Sequence, residues 1–439
     1  MLPNALNVLK FGSGEKPMQV ANAFPRPQNP SCPAGGADNR ENAERGVQVA
    51  PPSGNTSSLE PYQVLHTGFD TLTIAVKAIL PPDVAEYFET QRTIAEHESR
   101  EILIEWNGVE LHLQGHGGKG YRFVANSGAF GARWAFKKPN AKDPWGVTVT
   151  FGSVFMATRD LGGAQAHLDR VLDRLGMRVK PEDFSISRFD ICSDFYAPNF
   201  TLIPENFVMH SSTNRQDFIE KSVNGKSGRV TSVRVGGVKS RSAIIYDKRL
   251  EVTQKLKPYW WHIWNTNLTQ KGLPNLAPKD PRSKVWRVEL RAGKLLLKDR
   301  WNIRTWEDLY ARFGDLVAHS MSSIRYTDPA PTDINRARWP NHLLWELAGS
   351  EFANDLRYMR EFSDPDGVKF VHKAQHISTL TKNARGTLVS LAAINGTSFD
   401  QLDTFFDTTL REFKNDLESE AEHLCKLHQA ASDRYRFIS

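Results

Sequence analysis

The sequence predicts an α+β protein made of two similar halves, each an antiparallel sheet with helices, packed as a pseudo-dimer and followed by a helical C-terminal region. Three observations predict it. Short segments in which apolar residues recur at every second position are spread between Thr71 and Arg291. The strand opening Phe69-Asp70 in "GFDTLTIAV" returns as Phe189-Asp190 in "SRFDICSDF". From about Thr305 the apolar spacing lengthens to that of helices.

Along the chain, residues 1–60 hold "FPRPQNPSCPAGGADN" and "PPSGNTSS" and no sustained apolar period, and read as a disordered tail. The first half, about 61–180, opens with the strand Thr71 to Val76 and the helix Pro82 to Glu98. Strands around Glu101 to Leu113 and Tyr121 to Asn126 are joined by the glycine-rich "GHGGKG". Val147 to Phe151 is a further strand, and Gly163 to Leu175 a helix through Leu168, Val171, Leu172 and Leu175. The second half, about 181–315, begins with "SRFDICSDF". The helical region, 316–439, ends in a helix with a capping-box spacing at Ser398 and Gln401 and an apolar stripe of Leu402, Phe405, Phe406, Leu410, Phe413 and Leu417. Such a stripe is core or a partner surface, not a ligand site.

The chain has 439 residues, 40% hydrophobic and 24% charged, enough for two or three domains with a sizeable core. It contains no apolar run of membrane-spanning length, and the N-terminal residues are not expected to act as a secretory leader. Three scattered cysteines form no disulfide framework and no zinc spacing, so a cytoplasmic protein is expected. The net charge of +6 is unevenly placed. From Asn341 to Ser439 there are 11 Lys+Arg against 15 Asp+Glu, whereas from Arg215 to Lys257 there are 11 against 4. A polyanionic partner is expected to lie along that basic segment.

Three strands within the second half carry ionisable groups on one face. Alternation places Arg188, Asp190, Cys192 and Asp194 opposite Phe189 and Ile191; Tyr246 and Lys248 beside Ile244; and Arg287, Glu289 and Arg291 opposite Trp286, Val288 and Leu290. Carboxylates, a tyrosine and cations on neighbouring strands are what metal-assisted phosphoryl transfer to a tyrosine requires. A solvated sheet face laced with ion pairs explains the same alternation.

These strings, "SRFDICSDF", "SRSAIIYDKRLE" and "WRVELR" in that order, together with "GFDTLTIAV", resemble the replication initiation factor family of rolling-circle plasmids and phages, which includes relaxases of conjugative elements. The resemblance spans roughly Thr67 to Asp315. It implies a duplicated catalytic fold in which Tyr246 is the DNA nucleophile and Asp190, Asp194 and Glu289 are metal ligands for Mg²⁺ or Mn²⁺. Lys248 is placed to lower the tyrosine pKa or touch phosphate, and Lys239, Arg241, Arg249 and Arg291 to bind DNA; Arg188 and Arg287 suit either binding DNA or orienting the carboxylates as structural ion pairs. The expected reaction nicks one strand at an origin, leaving a 5′-phosphotyrosyl link and a free 3′-OH. The expected partners are origin DNA, a host helicase and a polymerase, with a homodimer left open and no membrane. Conjugative nicking uses the same chemistry, and a non-catalytic origin-binding protein would keep the fold and the basic face.

Rival motifs fare worse. His112 and His116 in "HLQGH" are hairpin residues and not a metal pair, and "GHGGKG" lacks the spacing of a nucleotide-binding loop. The run Tyr259-Trp260-Trp261-His262-Ile263-Trp264 suits either stacking on unpaired bases or packing of a helix on the sheet.

Overall fold

The structure is a computed structural model that describes residues 59–209, 223–226, 228–237, 239–330, 332–354 and 364–438. The expected N-terminal tail thus lies almost wholly outside the described residues. The described residues form two compact units, 59–382 with 422–438, and Asn383–Ala421.

The first unit is built on an antiparallel sheet. Its strands in chain order are β1 (Gln63–Val76), β2 (Ile102–Trp106), β3 (Val109–Leu113), β4 (Phe123–Asn126), β5 (Ala132–Phe136), β6 (Val147–Phe151), β7 (Phe184–Tyr196), β8 (Phe207–Met209), β9 (Val223–Lys226), β10 (Arg229–Gly236), β11 (Arg241–Asp247), β12 (Val285–Gly293) and β13 (Ile324–Tyr326). Eleven of them run side by side in the order β2-β3-β4-β5-β6-β1-β7-β12-β11-β10-β9, while β8 and β13 pair separately. The long strands β1 and β7 therefore lie next to each other at the centre. On its outer side β1 is flanked by β6, and β7 by β12.

Helices α1 (Pro82–His97), α3 (Leu161–Arg174) and α6 (Trp306–Ser323) pack on one face. Phe88, Leu168, Leu172, Leu309 and Phe313 meet Leu72, Ile74, Phe189 and Ile191 there in the main core. At about 25 cal/mol per Å² of apolar area removed from water, this burial is the main force holding the sheet. Asp160 caps α3 by accepting from Gly163 N at 2.6 Å, and a Thr305–Asp308 capping box opens α6.

A smaller core forms against the other face under α2 (Ser153–Thr158), α4 (Lys248–Gln254), α5 (Tyr259–Gln270) and the start of α8 (Pro365–Ile394). Tyr259, Trp260, Ile263 and Trp264 are buried in it, so the aromatic run is a helix packed on the sheet and not a stacking platform. The helix α7 (Leu343–Ala353) packs with the main core, and α10 (Ala421–Tyr435) leads to C-terminal residues that return to the sheet, Arg436 pairing with Glu110 at 2.7 Å.

Several elements differ from the sequence reading. Glu101 to Leu113 is not one strand but the hairpin β2-β3, turned at Asn107-Gly108, whose positive φ values of 47° and 73° fit a tight two-residue turn. The strand around Tyr246 stops at Asp247, which caps α4 by accepting from Leu250 N at 2.8 Å. Lys248 therefore begins a helix and does not sit on the strand. His112 is a hairpin residue as expected, its Nε2 hydrogen-bonded 2.7 Å from the Asp433 carbonyl oxygen.

In the second unit, the described residues hold the end of α8, a short turn at Phe399–Gln401 with the Ser398–Gln401 capping box, and α9 (Leu402–Ser419). Leu410, Phe413 and Leu417 of its stripe are exposed. Among the described residues, no helix is long and apolar enough to cross a membrane.

Candidate active site

Asp70, Asp190 and Glu289 converge on the face of the sheet opposite the main core, with a carboxylate oxygen of each within 4.8 Å of the others. Asp190 and Glu289 are where strand alternation puts them, on β7 and β12. Asp70 reaches the group through a bulge. The pairing of β1 with β7 steps from Phe69↔Ile191 to Thr71↔Asp190, so Asp70 is the extra residue. The group could hold a divalent cation.

The three acids line a cleft of about 420 Å³ together with Tyr246, Lys248, Arg188 and Arg291. Tyr246 is half-buried on β11. Burial raises its phenol well above the ordinary tyrosine range. Arg287 opposes that rise, and Glu289, Asp70 and Asp194 add to it.

Lys248 is buried, its Nζ 2.9 Å from Glu251, 4.5 Å from the Trp260 ring centre and 5.7 Å from that of Tyr246. Burial lowers the Lys248 ammonium, and Arg287 lowers it further. Burial also acts to raise Glu251, but Lys248 and Lys257 outweigh it and hold this carboxyl far down.

Arginines brace the acids. Arg188 donates Nε to Asp190 at 2.9 Å, and Arg291 reaches Asp190 at 3.2 Å and Glu289 at 3.3 Å. They do not fully compensate the charge. Burial, then Asp70 and Asp190, push Glu289 up to about 8, against the pull of Arg291 and Arg287. A cation seated between the carboxylates would relieve this repulsion, and three oxygen donors suit a hard ion such as Mg²⁺ or Mn²⁺.

Asp194, expected among the ligands, stands elsewhere. Its Oδ2 accepts from Arg287 Nη2 at 2.7 Å and from the Trp264 indole at 2.8 Å, all within a buried cluster. Burial would raise this carboxyl, but Arg287 holds it low. Arg287 is fully buried, bound also to Asp70 and 4.3 Å from the Trp260 ring centre, so it cannot contact DNA. Its place on the polar face of β12 is legible in the sequence, and so is a helix over Tyr259 to Trp264; that this helix, α5, lies over Arg287 is not.

The remaining cations are dispersed. Lys239 is exposed before β11. Arg241 is half-buried, with Nε and Nη1 making no hydrogen bond. Arg249 donates to the carbonyl oxygens of Pro278 and Pro281. Asp70 was missed as a ligand, although the repeated Phe-Asp string marks it as the counterpart of Asp190.

No protein-family model matches the chain, and no curated protein matches it. Among solved structures it is similar to a rolling circle replication initiator protein from Geobacillus stearothermophilus, with a TM-score of 0.33 and 12% identity, covering 67% of this chain and 97% of that one. A likeness of this strength assigns neither family nor activity.

Proposed function

We propose that the chain is a replication initiator that nicks one DNA strand through Tyr246 with a divalent cation held by Asp70, Asp190 and Glu289. The observation that carries this reading is the single cleft in which a tyrosine, a buried lysine and a converging carboxylate trio face one another. The order β6-β1-β7-β12, with two long strands paired at the centre, supports reading the sheet as two duplicated halves. On that reading the trio sits at their junction.

In this reaction the Tyr246 oxygen attacks the phosphorus, the bond to the 3′-oxygen breaks, and the phenolic proton is balanced by the one gained at the new 3′-OH. A 5′-phosphotyrosyl bond remains, so the same site can rejoin the strand. The cation, when bound, neutralises charge on the phosphoryl oxygens. Arg287 opposes the upward shift of the phenol, and Lys248 places its Nζ 5.7 Å from the Tyr246 ring centre. Arg188, half-exposed at the rim, is placed to meet a backbone phosphate as well as Asp190.

The engagement of Asp190 and Glu289 by Arg188 and Arg291 favours a second reading, in which the acids are only the ion-paired floor of a DNA-binding face. One experiment separates the two. Wild type and Tyr246→Phe are incubated with single-stranded origin DNA in Mn²⁺ or EDTA. A denaturant-resistant adduct formed only by wild type with Mn²⁺ supports nicking. An adduct with the Phe variant moves the nucleophile elsewhere, and none in any condition leaves the binding reading. Plasmid or phage replication and conjugative nicking share this chemistry.

A further inference from the structure

A second cleft, of about 890 Å³, shares no lining residue with the first and contains an unusual surplus of unpaired cations. Its walls come from α3, the β2-β3 hairpin, the start of α8 and the C-terminal Arg436 and Phe437. Arg159, the residue that ends α2, lies half-buried here with its guanidinium carbon 4.8 Å from the Phe155 ring centre. Arg170 of α3 and Lys369 of α8 line the same cleft. No carboxylate among the described residues lies within ion-pair distance of any of the three.

The acids nearby are mostly committed. Glu110 is held by Arg436 at 2.7 Å, and Glu105 accepts from Gly108 N at 2.8 Å. Asp366 acts on Arg159 from beyond ion-pair distance. His167 faces the cleft with its ring against Trp134, Phe151 and Phe155, and its Nε2 is buried without a hydrogen-bond partner. Burial, then Arg159 and Arg170, lower His167 to about 4, so it stands as a neutral imidazole.

A half-buried guanidinium beside a second one, answered only by Asp366 from beyond ion-pair distance, leaves a local positive surplus that a bound anion would offset. Two guanidinium forks and an ammonium together suit a tetrahedral oxyanion. We propose that this cleft binds a phosphate group through Arg159, Arg170 and Lys369. The phosphate belongs either to the backbone of a DNA segment away from the nick or to a free nucleotide. The inference does not rest on the nicking reading, since it concerns different residues and a different measurement.

The test titrates full-length wild type with inorganic phosphate, then with a 5′-mononucleotide, then with a short single-stranded oligonucleotide lacking the origin, reading affinity by calorimetry. The variants are Arg170→Ala with Lys369→Ala, and Arg159→Gln. Loss of two charge-assisted contacts should weaken phosphate by about tenfold or more. If DNA is the source, the double variant also lowers the salt slope of oligonucleotide binding by about 1.4. If a nucleotide is the source, only the two small ligands weaken. Phosphate affinity that is absent in wild type, or equal in wild type and both variants, overturns the proposal. Should Arg159→Gln misfold, the exposed Arg170→Glu, which reverses a charge at the rim, must still abolish phosphate binding.

Discussion

Asp70 and Asp190, the acids of the two Phe-Asp strings, meet across the β1-β7 pair because one extra residue in β1 turns Asp70 out of the phase set by Leu72 and Ile74. Without the bulge, Asp70 would share the core face with Leu72. The cluster thus depends on a local break in regularity at the junction of the sheet's central strands.

Asp70→Asn and Asp194→Asn should separate the metal group from the structural one. The first should weaken Mn²⁺ binding by about tenfold or more, because a neutral amide replaces an anionic ligand. The second should leave Mn²⁺ affinity near wild type while destabilising folding by about 3–5 kcal/mol, since the buried Arg287 loses its main counter-charge. Metal titration and urea unfolding read the two effects. The reverse pattern would make Asp194 the ligand.

Lys248→Met should reduce nicking at least tenfold with a modest change in stability. Glu251 keeps Lys257 at 2.8 Å and Lys255 at 3.2 Å, so it is not left unpaired. The expected destabilisation is about 1–2 kcal/mol, close to the loss of one charged hydrogen bond. If the adduct forms at the wild-type rate, Lys248 serves only to anchor α4.

Lys239→Gln should flatten the salt dependence of DNA binding by about 1, the slope of a single phosphate contact. The side chain is exposed in the turn that precedes β11, and at roughly 3.3 Å per residue the strand from Arg241 to Tyr246 itself spans about 16 Å. DNA that touches both must follow the strand. An unchanged slope would send the DNA path away from β11.

How far the sequence could be read depended on regularity. Asp190, Glu289 and Tyr246 lie on unbroken stretches of strand, where alternation gives the face directly. Asp70 was hidden by a bulge, which no period-two count reports. Lys248 was misplaced because the strand ends one residue earlier, although Asp247 before a Lys-Arg-Leu-Glu run is a helix N-cap signal. Arg287 was put on the right face but the wrong side of solvent, because burial by Trp260 and Trp264 is a tertiary fact. The Asn107-Gly108 turn is legible from its two residues, which interrupt an otherwise strand-like run.

His167→Phe should flatten the acid side of the stability profile. An unfolded histidine titrates near 6.5, while in the folded protein burial, Arg159 and Arg170 hold His167 at about 4. Between these values the unfolded chain binds a proton that the folded one refuses. The contribution of His167 is therefore fully present above about pH 6.5 and is lost as pH falls toward 4. At about pH 5 the deficit is at most ~2 kcal/mol, since the ring is not wholly shielded from solvent. A phenyl ring fills the space beside Phe151 and Phe155 without titrating. Urea unfolding at neutral pH and at about pH 5 should show wild type losing more stability than the variant. Phosphate should be left out of the buffers, because an anion in the cleft would favour the protonated ring and shrink the difference. Parallel losses would mean that His167 accepts its proton in the folded state, and that the cleft is more open to water than its lining indicates.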